Sequence, residues 1–533
     1  MHASENAEPE VFLRKSSGLV KSAGPFDVFL FNFGLCSVGI AVTLAYGSVP
    51  GNYPGANIPL SVLLAGLCMA AIAWGFWCWS VVIPRSGGVY AFISRSLSPG
   101  LGFSISFVDT FTWLFYNALA ASFLTTIGIG PGLYAVGHLT GSPGLKDLAI
   151  AFQQPGAQLA VGTAAIATSS GILILGLKAF FRVQVVIFAA AVVGTLAAVA
   201  ILGAADHRVF VDKFDAALAA ESGDVPSQQV LAAAPPPEAL EFSFSATCLA
   251  IVWPMLSFVG SIFSVNIGGE VRNSRRSQLI GMFGAIAAAA TVMAVLAMLA
   301  DRVFSPRFQA GLVLGSGRDE VRLPLTPSFS LLTAITAEGA IAASLVCIGF
   351  FAWAFFWLPA TMMYATRAVI AWSFDRLAPA SLGYVHPTRH TPVNAILAVA
   401  AVNWLFLVLY LYTPFFGSLV LVLAAMFAWL PTMVGAAAFP FLRPDMYRRS
   451  ALGNVRLLGM PIMTVAGTVG LLGVVALTVM LWNDPLAAGH SPASLGTIAT
   501  VFAVGAAWYW IARRVRRRRG IAIDKAFTEL PIE

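Results

Sequence analysis

Ile251-Val252-Trp253-Pro254-Met255-Leu256-Ser257-Phe258-Val259-Gly260-Ser261-Ile262-Phe263-Ser264 sits inside an apolar run from about Phe242 to Gly268. A bilayer crossing needs roughly 20 residues at 1.5 Å each, so the run is long enough to span. Yet it holds Pro254, Gly260 and serines at 257, 261 and 264. Proline removes a backbone donor and glycine is a poor helix former. In lipid, irregular backbone persists only where protein or a water-filled cavity satisfies its polar groups. The stretch therefore reads as a broken helix lining a cavity, with a ligand-free kink as the alternative. The first apolar run, about Asp27 to Gly47, is interrupted at similar depth by Gly34-Leu35-Cys36-Ser37-Val38-Gly39-Ile40. Paired interruptions at corresponding places in two halves of a chain mark where a transporter holds its substrate.

The rest of the chain fits that frame. Of 533 residues, 58% are hydrophobic and 10% charged, against roughly 25% charged in soluble domains. Apolar spans fall at about 27–47, 59–82, 101–135, 158–178, 183–204, 243–269, 278–300, 328–372, 393–413, 416–441, 458–482 and 494–512. Alternate connections and the two tails collect 24 of the 31 basic residues. Arg14, Lys15 and Lys21 precede the first span, Arg85 and Arg95 follow the second, and Arg513 to Lys525 follow the last. The positive-inside rule places that side, with both termini, in the cytoplasm. Spans 1–5 and 6–10 then run in opposite directions, as an inverted repeat requires.

The expected organisation is all-α and polytopic, with 12 transmembrane helices: a 5+5 inverted repeat with broken helices 1 and 6, plus two extra helices. Residues 1–26 form a cytoplasmic tail. Residues 27–512 form the transporter region, with repeats at 27–204 and 243–441 and helices 11–12 at 458–512. Residues 513–533 are a basic tail, read as a topology anchor, with contact to anionic lipid as the alternative. The connection 205–242 reads as an outer loop, partly helical. The polar, acidic N-terminus lacks the short apolar core of a cleaved signal peptide.

Cys36, Cys68, Cys78, Cys248 and Cys347 all lie in apolar runs with no metal-ligand spacing, so no metal, cofactor or nucleic-acid partner is expected. An enzyme would want clustered nucleophiles or paired acids, and a sensor would want a soluble output domain. The sequence offers neither.

Four segments on the basic side then carry a resemblance. They are Pro84-Arg85-Ser86-Gly87-Gly88-Val89-Tyr90, Glu270-Val271-Arg272-Asn273-Ser274-Arg275-Arg276, Leu442-Arg443-Pro444-Asp445-Met446-Tyr447, and Thr366-Arg367 leading through Asp375 to His386-Pro387-Thr388-Arg389-His390-Thr391-Pro392-Val393-Asn394-Ala395. In chain order, with the Thr366 segment preceding the Leu442 one, and on one side, they resemble the amino acid–polyamine–organocation family of permeases. The resemblance implies secondary transport of an amino acid or related metabolite, such as an amine or organic acid, by symport or exchange. Proton or sodium coupling, or a counter-substrate, would drive it. The family's span 1 amides map onto Ser37, Val38, Gly39 and Ile40, of which Gly39 and Ile40 keep the family's residues, and Cys36 beside them is a further candidate binding residue. The family's span 6 motif maps onto Phe258, Val259, Gly260, Ser261 and Ile262, with Ser261 at the family's aromatic position and Ile262 at its acidic one. The lysine that some proton-coupled members carry in span 5 falls here on Ala191.

No carboxylate lies in the middle of spans 1 or 6, so a neutral or mainly apolar substrate is favoured, because an unpaired charge at the midplane costs several kcal/mol. Asp109 is the candidate proton carrier, with a structural hydrogen bond as the alternative. Tyr116, Asn117, Trp353, Phe356 and Trp357 are candidate pocket residues, each with ordinary packing as the alternative. Glu270 with Arg272 or Arg276 is a candidate cytoplasmic gate.

Overall fold

A computed structural model describes residues 18–222, 226–321, 323–484, 486, 490–519 and 527. Arg14, Lys15, Arg322 and Lys525, with the rest of 1–17, 520–526 and 528–533, lie outside the described residues. Among the described residues, twelve helices are long and apolar enough to cross a membrane. They are spans 1 to 12: Pro25–Ser48, Ile58–Val82, Pro99–Leu139, Pro155–Ile174, Leu177–Ala204, Phe244–Asn266, Ser274–Phe304, Ala340–Phe374, Val393–Tyr412, Val422–Leu442, Ile462–Asn483 and Pro492–Arg518.

The predicted eighth span, 328–372, divides in two. Phe329–Thr336 is a separate helix, and extended backbone at Gly339 precedes Ala340–Phe374. Span 3 instead absorbs its excess length as one run, by widening to a π-turn at Leu124–Ile129. The cause is Pro131, which has no N–H for the Ile127 carbonyl four residues back. Ser330 Oγ fills that vacancy, donating to Ile127 O at 2.6 Å.

Span 1 packs along span 7, and span 7 along span 2. Span 5 packs along span 8, span 4 along span 9, and spans 11 and 12 lie against spans 2 and 3. The 205–242 connection forms helices His207–Ser222 and Pro226–Ala233 and a 3-10 turn at Pro237–Leu240. Phe210 and Phe214 meet Phe304 and Phe308 there, with ring centroids 4.7–5.7 Å apart, so the connection is a folded cap on the face opposite the basic one. Short antiparallel strands, with Arg456 opposite Pro461 and Leu457 opposite Met460, turn the chain into span 11.

Both interrupted spans are interrupted, in different ways. Span 1 divides into Pro25–Cys36 and Val38–Ser48 at Ser37, which sits at φ 37°, ψ 70°. Span 6 runs Phe244–Ala250, turns at Ile251, resumes as Val252–Phe258 and tightens to a 3-10 helix over Val259–Asn266. A long 3-10 run is poor hydrogen-bond geometry, and side chains support this one. Asn32 Nδ2 donates to Ser264 Oγ at 2.9 Å, and Ser264 N–H donates to Asn32 Oδ1 at 3.0 Å. Ser264 Oγ donates to Gln278 Oε1 at 2.5 Å, while Gln278 Nε2 donates to Ser264 O at 3.0 Å. Spans 1, 6 and 7 are thereby joined at the irregular segment, as backbone in lipid requires.

Candidate functional site

On the face away from most of the arginines, the second half of span 1 and the first half of span 6 border a cavity of about 170 Å³. Ile40 and Leu44 come from span 1, and Trp253, Leu256 and Ser257 from span 6. Span 3 contributes Trp113, Tyr116, Ala120 and Phe123, which at three- and four-residue spacing share one helix face. Trp357 of span 8 and the Leu419–Val422 turn complete the wall. None of the lining side chains carries a formal charge.

Polar atoms are few and placed. Tyr116 Oη accepts from Leu421 N–H at 3.0 Å, and Trp253 Nε1 donates to Tyr53 Oη at 2.9 Å. Trp357 Nε1 is buried and, among the described residues, has no acceptor. The second half of span 1 makes its first intrahelical bond from Ala41 N–H to Ser37 O. The N–H groups of Val38, Gly39 and Ile40 therefore have no intrahelical partner. Ser37 does not cap them, because its hydroxyl donates to Trp353 O at 3.0 Å. A positive, uncapped helix end thus stands beside Ile40.

Beneath the cavity lies a layer of packed aromatic rings. Phe263 packs on Trp113 (4.9 Å) and Tyr364 (4.3 Å) and lies 6.4 Å from Trp357. Asp109 is buried, accepting from Tyr364 Oη at 2.5 Å and Trp113 Nε1 at 2.9 Å. Nearer the basic face, Arg367 grips Glu270 with two bonds, Nε to Oε2 at 2.9 Å and a terminal nitrogen to Oε1 at 2.8 Å. Both residues are buried. The Glu270 carbonyl accepts from Ser22 and Ala23 N–H, so this corner joins the foot of span 1, the end of span 6 and span 8.

The sequence motifs converge on that face. Gly87 and Gly88 adopt φ +95° and +39°, and a Cβ on Gly88 would fall 1.8 Å from Asn266 Oδ1. Only glycine suits both constraints. Tyr90 Oη donates to Asp375 Oδ2 at 2.7 Å, and Arg95 pairs with the same carboxylate at 2.7 Å. Arg443 Nε reaches Arg95 O at 3.3 Å.

Of the candidate pocket residues, the structure brings Ile40, Tyr116 and Trp357 to the cavity. The others pack elsewhere. Cys36, Ser37 and Val38 are fully buried. Gly39 lies against Trp353, whose Nε1 donates to Thr195 on span 5 at 3.0 Å. Phe356 covers Gly34, Phe258 faces Gly66 on span 2, and Asn117 Nδ2 reaches Leu358 O at 3.4 Å. Gly260 abuts the Leu35 backbone, and neither Val259 nor Ser261 lines the cavity.

The gate pairing also changes. Glu270 binds Arg367, not Arg272 or Arg276, which are exposed. Burial explains the choice, since a carboxylate removed from water needs a partner that is buried with it. Sequence reasoning passed over Trp113, Phe123 and Trp253. Spacing on span 3 was the available signal for the first two, and adjacency to Pro254 for the third.

Comparison with known proteins agrees with this architecture. The amino acid permease family matches residues 28–521. The methylthioribose transporter of Bacillus subtilis (strain 168) is 29% identical over 134 residues, which cover 24% of this chain and 29% of that protein. The chain is an integral membrane transporter rather than an enzyme, and with the family's match running from span 1 through the end of span 12, it belongs to the amino acid permease family.

Proposed function

We propose that this permease carries a small neutral amino acid with an apolar side chain across the cytoplasmic membrane, by symport or exchange, with the arginine-rich face and both termini inside. The cavity beside the open end of span 1 carries the reading. Its wall is aromatic and aliphatic, without a charged side chain to pair with a second ionic group. The unpartnered amides at Val38 to Ile40 suit a carboxylate. An apolar cavity of about 150 Å³ takes a benzene-sized guest, so a space of about 170 Å³ matches a small side chain. In this orientation the cavity faces outward, and Phe263, Asp109–Tyr364 and Glu270–Arg367 close the inner route.

A methylthio sugar is the second reading, favoured by the name of the partial relative, a methylthioribose transporter. A thermal-shift panel separates the two, because a ligand that binds only the native state raises apparent stability, by about 2.7 kcal/mol at 100 times its Kd. Neutral amino acids should raise the melting temperature, while their decarboxylated amines and dicationic amino acids should not. A shift with methylthioribose alone would overturn the amino acid reading. Trp357→Phe keeps an aromatic ring but loses the N–H donor together with the pyrrole half of the indole, and should weaken the effective ligand by about tenfold, the upper value of one neutral hydrogen bond.

Proton coupling through Asp109 extends the same reading, with sodium coupling or counter-substrate exchange as alternatives. Trp113 both lines the cavity and donates to Asp109, so occupancy and carboxylate share one side chain. Asp109→Asn should abolish pH-driven uptake and leave substrate binding within about threefold. Uptake that still follows pH in this variant returns Asp109 to a structural role.

A further inference from the structure

We propose that an anionic phospholipid of the arginine-side leaflet binds a built groove between span 12 and the turn after span 8. The groove encloses about 650 Å³. One end is cationic, where Arg376 from the turn meets Arg516 of span 12 and Arg519 just past its end. The other end is apolar, formed by Val504, Trp508 and Ile511, whose side chains are exposed. Residues 504, 508, 511, 515 and 519 follow one another at three- and four-residue steps, so they form a single stripe along the helix.

From Val504 to Arg519 the stripe is about 22 Å long at 1.5 Å per residue. Half of a bilayer with its headgroups is about 20–22 Å. The charged end therefore lies at headgroup depth while the apolar end lies among acyl chains. A free phosphate would satisfy the arginines and leave the stripe unused.

The groove is held in shape by its own bonds. Arg376 sits at φ 61°, a conformation rare for residues other than glycine. Trp508 Nε1 donates to Leu377 O at 2.9 Å, and Arg516 Nε donates to Arg376 O at 3.2 Å. The second bond brings both guanidinium-bearing residues to one mouth. Arg514, Arg517 and Arg518 do not line the groove, which separates this site from general attraction of a basic tail to a negative surface.

The test compares two variants of equal charge, Arg376→Gln/Arg516→Gln/Arg519→Gln and Arg514→Gln/Arg517→Gln/Arg518→Gln. Phosphatidylglycerol binding to purified protein is read by native mass spectrometry and by thermal shift. The first variant should lose roughly 100-fold in affinity, at about fivefold per arginine near the surface, and the second much less. On the unaltered protein, phosphatidylcholine and tail-free glycerophosphoglycerol should protect much less than phosphatidylglycerol. If the first variant purifies poorly, the arginine-to-lysine version at the same positions keeps the charge and should retain most binding. Equal losses in both variants would reduce the effect to tail charge. Equal protection by the tail-free headgroup would remove the acyl part of the site. Either result overturns the proposal.

Discussion

Arg367→Met is expected to destabilise the permease by about 3–5 kcal/mol, because it leaves the Glu270 carboxylate buried without its ion partner. The double variant Glu270→Met/Arg367→Met should recover most of that loss, since apolar residues of similar volume often replace a buried pair at little cost. Thermal melts of the wild type, both single variants and the double variant close a mutant cycle, which isolates the pair's coupling. Four melts that differ by only a degree or two would mean the pair holds nothing together.

The same double variant reports on gating. With the tie between spans 6 and 8 gone, the inner route should open more often. Ser86 is buried and bridges to Ile267 at the foot of span 6. A cysteine at that position should label faster in the double variant, and only from the cytoplasmic side. Labelling from outside would invert the proposed orientation.

Gly260→Ala should be the second large effect, and it should fall on stability. A Cβ at Gly260 would lie 2.3 Å from both the carbonyl carbon and oxygen of Leu35. Backbone cannot rotate aside as a side chain can, so spans 1 and 6 must separate. Overpacking of this kind costs about 1–3 kcal/mol. The melting temperature should drop while ligand affinity in the folded fraction stays put. Gly171→Ala in span 4 is the control, with no atom within 4 Å of its added Cβ. A Gly260→Ala protein that melts normally and binds ligand poorly would instead place Gly260 at the substrate.

The twelve spans were readable in the sequence because hydrophobic length is a local property that needs no knowledge of partners. The interruptions were readable for the same reason, since Pro254 and the clustered small residues act where they stand. Their geometry was not. Glycines 39 and 260 look like the residues that permit a break, yet the left-handed residue is Ser37, whose hydroxyl is held by a carbonyl 316 residues away. Both glycines stand at close contacts, Gly39 against Trp353 and Gly260 against the Leu35 backbone. Glu270 had arginines two and six residues along the chain, and its partner is 97 residues away in span 8. Charge pairing in a helical bundle follows burial, and burial is settled by packing between distant spans. The cavity wall shows both sides of this. The face of span 3 from Trp113 to Phe123 follows from helical spacing alone, whereas the Leu419–Val422 turn joins the wall only once spans 9 and 10 have packed.

A chamber walled almost wholly by carbon distinguishes its guests by bulk. An apolar pocket separates two ligands that differ by one methylene by only about 10–200-fold. On the proposed reading, side chains of neighbouring size would compete with one another whenever they are present together. In a mixed medium the rate for any one of them would depend on the abundance of the rest. Solutes with an ionised side chain would stay outside this competition, because admitting one would strand a charge against Trp113, Trp357 and Phe123 with nothing to answer it.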